Sequence, residues 1–228
     1  IGIQARVKIS DASDATVFSN SNANFTILGG FTVTAHNGGE VWTVGESPNI
    51  AWITAGTVAN VKLEYSTDAG ATYPNVIILS AVNMGTYAWT VPDSISTTVK
   101  VKVSDASNAA AFGVSASNFK IKGSLTLTSP VGGEIWIVGS SHNITWTKIG
   151  SIANLKLEYS TDGGLTYTNT IIASTPAVAG TYAWTIPDAI GANLRVKSSD
   201  ASDATILSVS AANFAIKGSI TLTSPVGG

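Results

Sequence analysis

Four glutamates recur in pairs along the sequence, and paired carboxylates are the groups that a glycoside hydrolase uses. They are Glu40, Glu64, Glu134 and Glu158. Hydrolysis needs two such carboxylates opposed across a cleft. Glu40 and Glu134 follow Gly-Gly at a turn, whereas Glu64 and Glu158 lie between Leu and Tyr and should face outward from a strand. We therefore expect no enzymatic activity, no catalytic residues and no cofactor.

The two histidines, His36 and His142, stand at different positions of an internal repeat, so no shared catalytic or metal site includes both. No Ser/His/Asp set recurs either. The sequence has no cysteine, which excludes disulfides, thiol catalysis and thiolate metal sites. We expect no bound metal from these residues.

Paired aspartates occur in the segment Ser-Asp-Ala-Ser-Asp, at Asp11 with Asp14 and at Asp200 with Asp203. The corresponding middle segment keeps Asp105 but has Asn108. Carboxylates at this spacing in a loop could hold calcium, yet calcium takes six to eight oxygen ligands. Capping of a turn by the Asp side chain is the interpretation we prefer.

Six tryptophans form two sets of three. Trp52 is in phase with Ile50, and Trp89 with Tyr87 and Val91, so these two and their equivalents Trp146 and Trp184 should pack in a core. Trp42 and Trp136 instead follow Gly-Gly-Glu, where contact with a sugar ligand or a neighbouring domain is the alternative. Asn24 and Asn143 begin N-glycosylation sequons, and O-glycosylation of the abundant Ser and Thr is equally compatible with the sequence.

The elements that position these residues repeat along the chain. Residues 31–52 match residues 125–146 at an offset of 94, and residues 85–93 match residues 180–188 at an offset of 95. We predict complete domains at 31–124 and 125–219. Residues 1–30 reproduce the last third of a repeat, and residues 220–228 reproduce its first strand.

Within each repeat the apolar residues alternate with polar ones, as in Val61-Lys62-Leu63-Glu64-Tyr65. Turn signals interrupt this alternation roughly every 8–12 residues. The pattern predicts an all-β chain of tandem antiparallel sandwiches, Ig-like or fibronectin-III-like, of about 94–95 residues each. Only Gly123-Ser124 joins the two domains, and so short a linker should leave them little freedom.

Charge and hydropathy exclude several classes of partner. Only 11% of residues are charged, the net charge is −2, and no basic cluster exists, so we expect no nucleic-acid partner. No run of about 18 apolar residues occurs, so no membrane span is expected in this segment. The missing cysteines leave the compartment open.

Several motifs of the second repeat resemble a known domain family. They are Thr128 to Trp136 (TSPVGGEIW), Asn143 to Trp146 (NITW), Tyr159 to Tyr167 (YSTDGGLTY) and Gly180 to Pro187 (GTYAWTIP). They resemble the Ser/Thr-rich, cell-wall-associated domain of fungal GPI-anchored and cell-wall assembly proteins, which also occurs in bacterial and archaeal surface proteins. The first repeat departs from the pattern at Ala35-His36-Asn37, where the second has Ser-Pro-Val.

This resemblance implies a secreted or cell-surface β-sandwich with a structural, adhesive or cell-wall role and no catalytic residues. The segments Ser66 to Tyr73 and Ser160 to Tyr167 also resemble an Asp-box, a hairpin whose Asp accepts turn N–H groups. We expect a stalk or filament whose partners are neighbouring repeats, further copies in a fibre, or cell-wall glycan. An adhesin or a carbohydrate-binding accessory module is the alternative.

Overall fold

The computed structural model describes residues 2–224, without the side chain of Ile3. The chain divides into two compact units. The first comprises the residues up to Trp42 together with Glu46–Pro92 and Ser96–Ile121. The second comprises Thr43–Gly45, Asp93–Ile95 and the residues from Lys122 onward. Within the described residues, no helix has the length and the apolar character that a membrane crossing requires.

Short strands bounded by turns make up most of both units. The strands as far as Lys122 are β1 (Gly2–Ala5), β2 (Lys8–Ser10), β3 (Phe18–Asn20), β4 (Phe25–Ile27), β5 (Gly30–Ala35), β6 (Val41–Thr43), β7 (Asn49–Ala55), β8 (Asn60–Ser66), β9 (Asn75–Val82), β10 (Thr86–Ala88), β11 (Ser96–Asp105), β12 (Asn108–Val114) and β13 (Phe119–Lys122). The later strands are β14 (Ser124–Ser129), β15 (Ile135–Ile137), β16 (Ser141–Ile149), β17 (Asn154–Ser160), β18 (Asn169–Pro176), β19 (Thr181–Thr185), β20 (Gly191–Asp200), β21 (Leu207–Val209) and β22 (Phe214–Lys217). A short 3-10 helix, Ala177–Ala179, lies between β18 and β19.

Each unit contains the same pair of sheets. In the first, a three-stranded sheet has the order β10-β7-β5, and a larger sheet has the order β6-β13-β11-β8-β9 with β12 paired to the far end of β11. In the second, the orders are β14-β16-β19 and β15-β22-β20-β17-β18, with β21 paired to β20. Almost all pairings are antiparallel, whereas β15 runs parallel to β22. This strand order is an Ig-like, fibronectin-III-like sandwich, which confirms the predicted fold class.

Alternate side chains of the strands fill the space between the two sheets, as the period of two predicts. In the second unit the core includes Leu127, Ile144, Leu157, Val196 and Phe214, all of them buried. Burial of each such side chain contributes about 1.5–3 kcal/mol to the stability of the fold. The core is therefore what holds the two sheets together.

Four of the tryptophans lie in these cores, as predicted. Trp52, Trp89, Trp146 and Trp184 are all buried. The indole N–H of Trp52 donates to Asn83 Oδ1 at 2.9 Å, and that of Trp146 donates to the carbonyl oxygen of Ala177 at 2.8 Å. A buried indole needs such a partner because its N–H has lost water.

The strands before β5 form two small sheets, β1-β4 and β2-β3. Their pairings repeat those of β20 with β22 and β21 at an offset of 189: Lys8 faces Asn20 as Lys197 faces Val209. Phe25 is exposed, whereas its equivalent Phe214 is buried. The segment therefore has the strand pairing of the end of a sandwich and an uncovered apolar face. The domain limits 31–124 and 125–219 stay a prediction.

Candidate functional site

The Ser-x-Asp hairpins after β8 and β17 hold their own turns. In the first, Ser66 Oγ donates to Asp68 Oδ1 and accepts from the N–H of Gly70 at 2.8 Å. Asp68 also accepts from the N–H of Thr72 at 3.0 Å and from Thr72 Oγ1 at 2.6 Å. The hydroxyls of Ser66 and Thr72 and the N–H of Thr72 hold the pKa of Asp68 well below its ordinary value. This carboxylate is therefore fully committed to the turn.

The second hairpin repeats the hydrogen bonds of the first. Ser160 Oγ accepts from the N–H of Gly164 at 2.8 Å, and Asp162 accepts from the N–H of Thr166 at 3.0 Å. The pKa of Asp162 is lowered for the same reasons, first of all by the Ser160 hydroxyl. Both hairpins thus have the Asp-box arrangement that the sequence suggested.

The Gly-Gly-Glu turns use their glutamates as backbone acceptors. Glu134 Oε1 accepts from the N–H of Val131 at 2.7 Å, and its Oε2 accepts from the N–H of Gly132 at 2.7 Å. Glu40 accepts in the same way from the N–H groups of Asn37 and Gly38, at 3.0 and 2.8 Å. Burial opposes ionisation of Glu40, but the backbone N–H groups outweigh it and lower its pKa. Both carboxylates stabilise a turn.

The strand glutamates Glu64 and Glu158 lie on the outer face of the larger sheet, as expected, but lysines cover them so that they are only 8% and 7% exposed. Glu158 bonds Lys156 Nζ at 2.6 Å and Lys197 Nζ at 2.8 Å. Burial raises the pKa of Glu158, whereas the two lysines lower it by more. Glu64 bonds Lys62 Nζ at 2.6 Å, and Lys102 Nζ lies 3.7 Å from its other carboxylate oxygen.

An aromatic ring completes each of these ion-pair clusters. Lys197 Nζ lies 4.8 Å from the centre of the Tyr167 ring, and Lys102 Nζ lies 5.6 Å from that of Tyr73. Tyr73 and Tyr167 end the two Asp hairpins, so each hairpin is joined to the sheet through a lysine. A cation over an aromatic face adds about 0.5–1 kcal/mol at an exposed site. In each unit the strand glutamate, its two lysines and the hairpin tyrosine therefore form one cluster.

The Ser-Asp-Ala-Ser-Asp loops also cap themselves. Asp200 accepts from the N–H of Ser202 at 2.8 Å, and Asp203 accepts from the N–H of Thr205 at 3.1 Å. Asp11 and Asp14 make the matching bonds to Ser13 and Thr16, Asp105 does so to Ser107, and Asn108 accepts from the N–H of Ala110. Across residues 2–224, no three His, Asp or Glu side chains come together as a metal site. In these hydrogen bonds each Asp side chain caps its own turn, which is the role that we preferred from the sequence.

Trp42 and Trp136 lie against histidines. His142 stacks on Trp136 with ring centres 4.7 Å apart, and His36 stacks on Trp42 at 5.1 Å. Trp136 is only 6% exposed and also contacts Trp184 and Phe214. Trp42 is half-buried. Packing therefore accounts for Trp136, whereas the buried indole N–H of Trp42 meets no hydrogen-bond partner within the described residues. Contact of either ring with a sugar or a neighbouring domain stays a prediction.

The two histidines reach equivalent tryptophans by an exchange of positions that the sequence analysis missed. At an offset of 94, His36 corresponds to Pro130 and Pro48 corresponds to His142. Each repeat therefore keeps one His and one Pro at these two places but swaps them. The aligned repeats show this exchange of His and Pro. Its significance is clear only in the structure, where both positions lie next to the equivalent tryptophans.

His36 is a buried titratable group. It is 1% exposed, and neither ring nitrogen meets a hydrogen-bond partner at normal geometry within the described residues. Burial lowers the pKa of His36, although Glu40 and the backbone of Asn49 favour the charged form. The folded first unit therefore resists protonation of this imidazole.

We predict that the first unit loses stability as the pH falls below about 6.5, the ordinary pKa of histidine. In that range the unfolded chain binds a proton that the folded unit does not, so the free energy of unfolding rises with pH. The loss of stability ends once the pH is below the lowered pKa of His36 in the folded unit. Urea unfolding at several pH values between 7 and 5 measures this change in the free energy of unfolding.

His36→Asn is the test variant for this pH effect, because Asn tolerates the positive φ of 63° at this position. The variant should lose the part of the pH dependence that comes from His36. The second unit has Pro130 there and serves as an internal control. An unchanged pH profile in the variant would show that His36 does not cause the effect.

Both sequon asparagines are accessible. Asn143 is exposed on β16, and Asn24 is exposed while its Oδ1 accepts from Arg6 Nε at 2.6 Å. Glycosylation at either residue stays a prediction.

Two cavities in the first unit differ in the character of their lining. The first has a volume of about 490 Å³, and Asp105 is its one carboxylate among the described residues. The N–H of Ser107 donates to this carboxylate. The other, of about 330 Å³, is lined by Tyr65, Tyr87 and Trp89 with the start of β9. An aromatic lining is compatible with a sugar ring.

Comparison with known proteins gives structural similarity at low sequence identity. No family model matches the chain, and no curated protein matches it. Fibronectin(III)-like modules of CbhA from Clostridium thermocellum are 18% identical with a TM-score of 0.29, covering 82% of this chain and 94% of theirs. The N-terminal four Ig domains of Dscam1 isoform 6.44 are 9% identical with a TM-score of 0.42, covering 90% of this chain and 52% of that chain.

A titin I-band fragment is 9% identical with a TM-score of 0.43, covering 91% of this chain and 72% of the fragment. These proteins consist of tandem Ig-like or fibronectin-III-like domains, as this chain does. The fold assignment itself rests on the strand order described above. The resemblance to the cell-wall domain family stays a prediction.

Proposed function

We propose that this chain is a non-catalytic spacer, a run of Ig-like repeats in an extracellular stalk or filament. One observation supports the proposal: the turn carboxylates that recur in both units accept hydrogen bonds from the backbone of their own turns in the same way. Asp68 and Asp162 hold hairpins, Glu40 and Glu134 hold turns. Side chains committed to the scaffold in every repeat are what a uniform spacer needs.

The extracellular location and the cell-wall role are part of this proposal. They are supported by the resemblance of the Gly-Gly-Glu turn and the Asp hairpin to the cell-wall-associated domain, and by the low content of charged residues, 11%. The partners we propose are neighbouring repeats of the same chain and other copies of it. Electron microscopy of the native material tests the location and role together, because a spacer should appear as a beaded fibre at the cell surface.

A carbohydrate-binding or adhesive module is the second candidate, and the aromatic groove at Tyr65, Tyr87 and Trp89 favours it. A glycan screen on the 228-residue chain separates the two functions. The spacer function predicts no binding. Micromolar binding that Tyr87→Ala abolishes would favour the second candidate, and loss on Trp42→Ala or Trp136→Ala would place the ligand at those rings instead.

We further propose that residues 2–28 are the last strands of another sandwich of the same kind. Their strand register is that of residues 191–217, and the face bearing Phe25 and Ile27 is exposed where Phe214 and Ile216 are buried. In the second unit that face is covered by the opposite sheet, which consists of β14, β16 and β19.

A fusion tests this assignment. A copy of residues 124–189 joined ahead of Ile1 should create an additional cooperative unfolding unit and reduce binding of the dye ANS, because the exposed apolar face becomes covered. The matched control carries Phe25→Ser in the fusion, which should prevent this. ANS binding that persists in the unmodified fusion would contradict the assignment.

A further inference from the structure

Two equivalent stretches of the two repeats contain no charged residue. They are residues 69–92 and 163–187, and all 12 basic and all 14 acidic residues lie outside them. The first stretch forms β9 and β10, and the second forms β18 and β19. Each of these strands is the end strand of its sheet and is hydrogen-bonded on one side only within the described residues. Each unit thus has a charge-free flank with two open strand edges.

Open edges are usually protected, because their free N–H and C=O groups can pair with another chain. Lysine, proline and short length are the common protections. β9 and β18 are both eight residues long and have the same register irregularities against β8 and β17. Length and bulges therefore do not distinguish the two edges.

The outward side chains do distinguish them. On β9 the exposed positions include Val76, Leu79 and Val82, and Leu79 is 68% exposed. The equivalent positions on β18 are Thr170, Ala173 and Pro176. The second unit thus has a hydroxyl, a small side chain and a proline where the first has three branched apolar residues. A charge-free, proline-free segment of high β-propensity is one that pairs readily with a like segment.

We propose that β9 is a self-association edge, at which two copies of this chain pair antiparallel through their β9 strands. Two identical strands in this arrangement form an isologous interface, in which each strand offers the same groups to the other. Because the stretch 69–92 has no charge, no like-charge repulsion between the two paired stretches themselves opposes the pairing of identical copies. The side chains of Val76, Leu79 and Val82 would then lose water on both strands.

This proposal deepens the spacer function by naming a lateral contact between chains. It can fail while the spacer function stands, because a monomeric run of sandwiches is still a spacer. The glycan screen and the microscopy test the spacer function separately.

The test is sedimentation of the full chain across a wide range of concentrations. We expect a monomer–dimer equilibrium whose dissociation constant rises at least about tenfold in Leu79→Lys, because a lysine protects an edge strand. Ala173→Lys, at the equivalent position of β18, is the matched control and should leave the constant unchanged. In the dimer, the outward amides of β9 should exchange with deuterium more slowly than in Leu79→Lys.

Leu79 is exposed, so its replacement should leave the unfolding midpoint of the first unit nearly unchanged. Leu79→Thr is a second variant, in which the apolar side chain is removed but the residue keeps a high β-propensity. A chain that stays monomeric at all concentrations would overturn the proposal. So would association that survives Leu79→Lys but is lost in Phe18→Ser, because the exposed face of residues 2–28 would then be the contact.

Discussion

Replacing Gly132 by alanine should lower the free energy of unfolding of the second unit by roughly 3 kcal/mol or more. Gly132 has a φ of 120°, which L-residues rarely adopt. A Cβ there would lie 2.4 Å from Ala212 Cβ and 2.7 Å from its carbonyl carbon. Neither backbone can retreat easily, because the N–H of Ala212 donates to Val131 O at 2.8 Å.

Gly133→Ala is the matched control for this prediction. Gly133 also has a positive φ, 86°, but a Cβ there would meet no atom within 4 Å. Its cost should therefore be the backbone strain alone, about 1–2 kcal/mol. Guanidinium unfolding followed by tryptophan fluorescence measures both variants. Equal costs for the two would show that the close approach to Ala212 is not a constraint on the turn.

The second large effect is expected for Trp184→Ala, which should lower the free energy of unfolding of the second unit by about 3–5 kcal/mol. The Trp184 ring contacts Trp136 and Phe214 edge-on at centre distances of 6.0 and 6.4 Å, and Tyr159 lies at 5.3 Å. Alanine would leave a cavity between the two sheets, which close packing on both sides keeps from collapsing. A chain with one weakened unit should unfold in two steps.

Leu165→Ala is the control for the core variant, because Leu165 is 87% exposed. It should change the free energy of unfolding by less than about 0.5 kcal/mol. A cost near 1 kcal/mol for Trp184→Ala would mean that the two sheets do not enclose a packed core at that ring.

Alternation along the strands was enough to predict the fold and most of the core. The inward phase of Trp52 and Trp89 followed from their spacing to Ile50 and Val91, and all four side chains are buried. The turn motifs were equally informative, since Asp68 and Asp162 accept hydrogen bonds within the hairpins where the sequence places them.

Contacts between distant residues could not be predicted in this way. The lysines over Glu158 come from different strands, β17 and β20, and their registration depends on the pairing of Glu158 with Lys197. His36 and His142 stack on equivalent tryptophans although they come from repeat positions that are twelve residues apart. This is possible only because the fold brings both positions next to the same tryptophan. The apolar edge at Val76 and Leu79 becomes visible only when β9 is known to end its sheet.

Stretching single molecules of the 228-residue chain between its two ends tests the central claim most directly, namely that each repeat is a self-contained sandwich able to act as a spacer. Two force peaks should appear, each releasing about 90 residues or roughly 300 Å of extended chain. Extension without peaks, or one peak that releases both repeats together, would contradict the account.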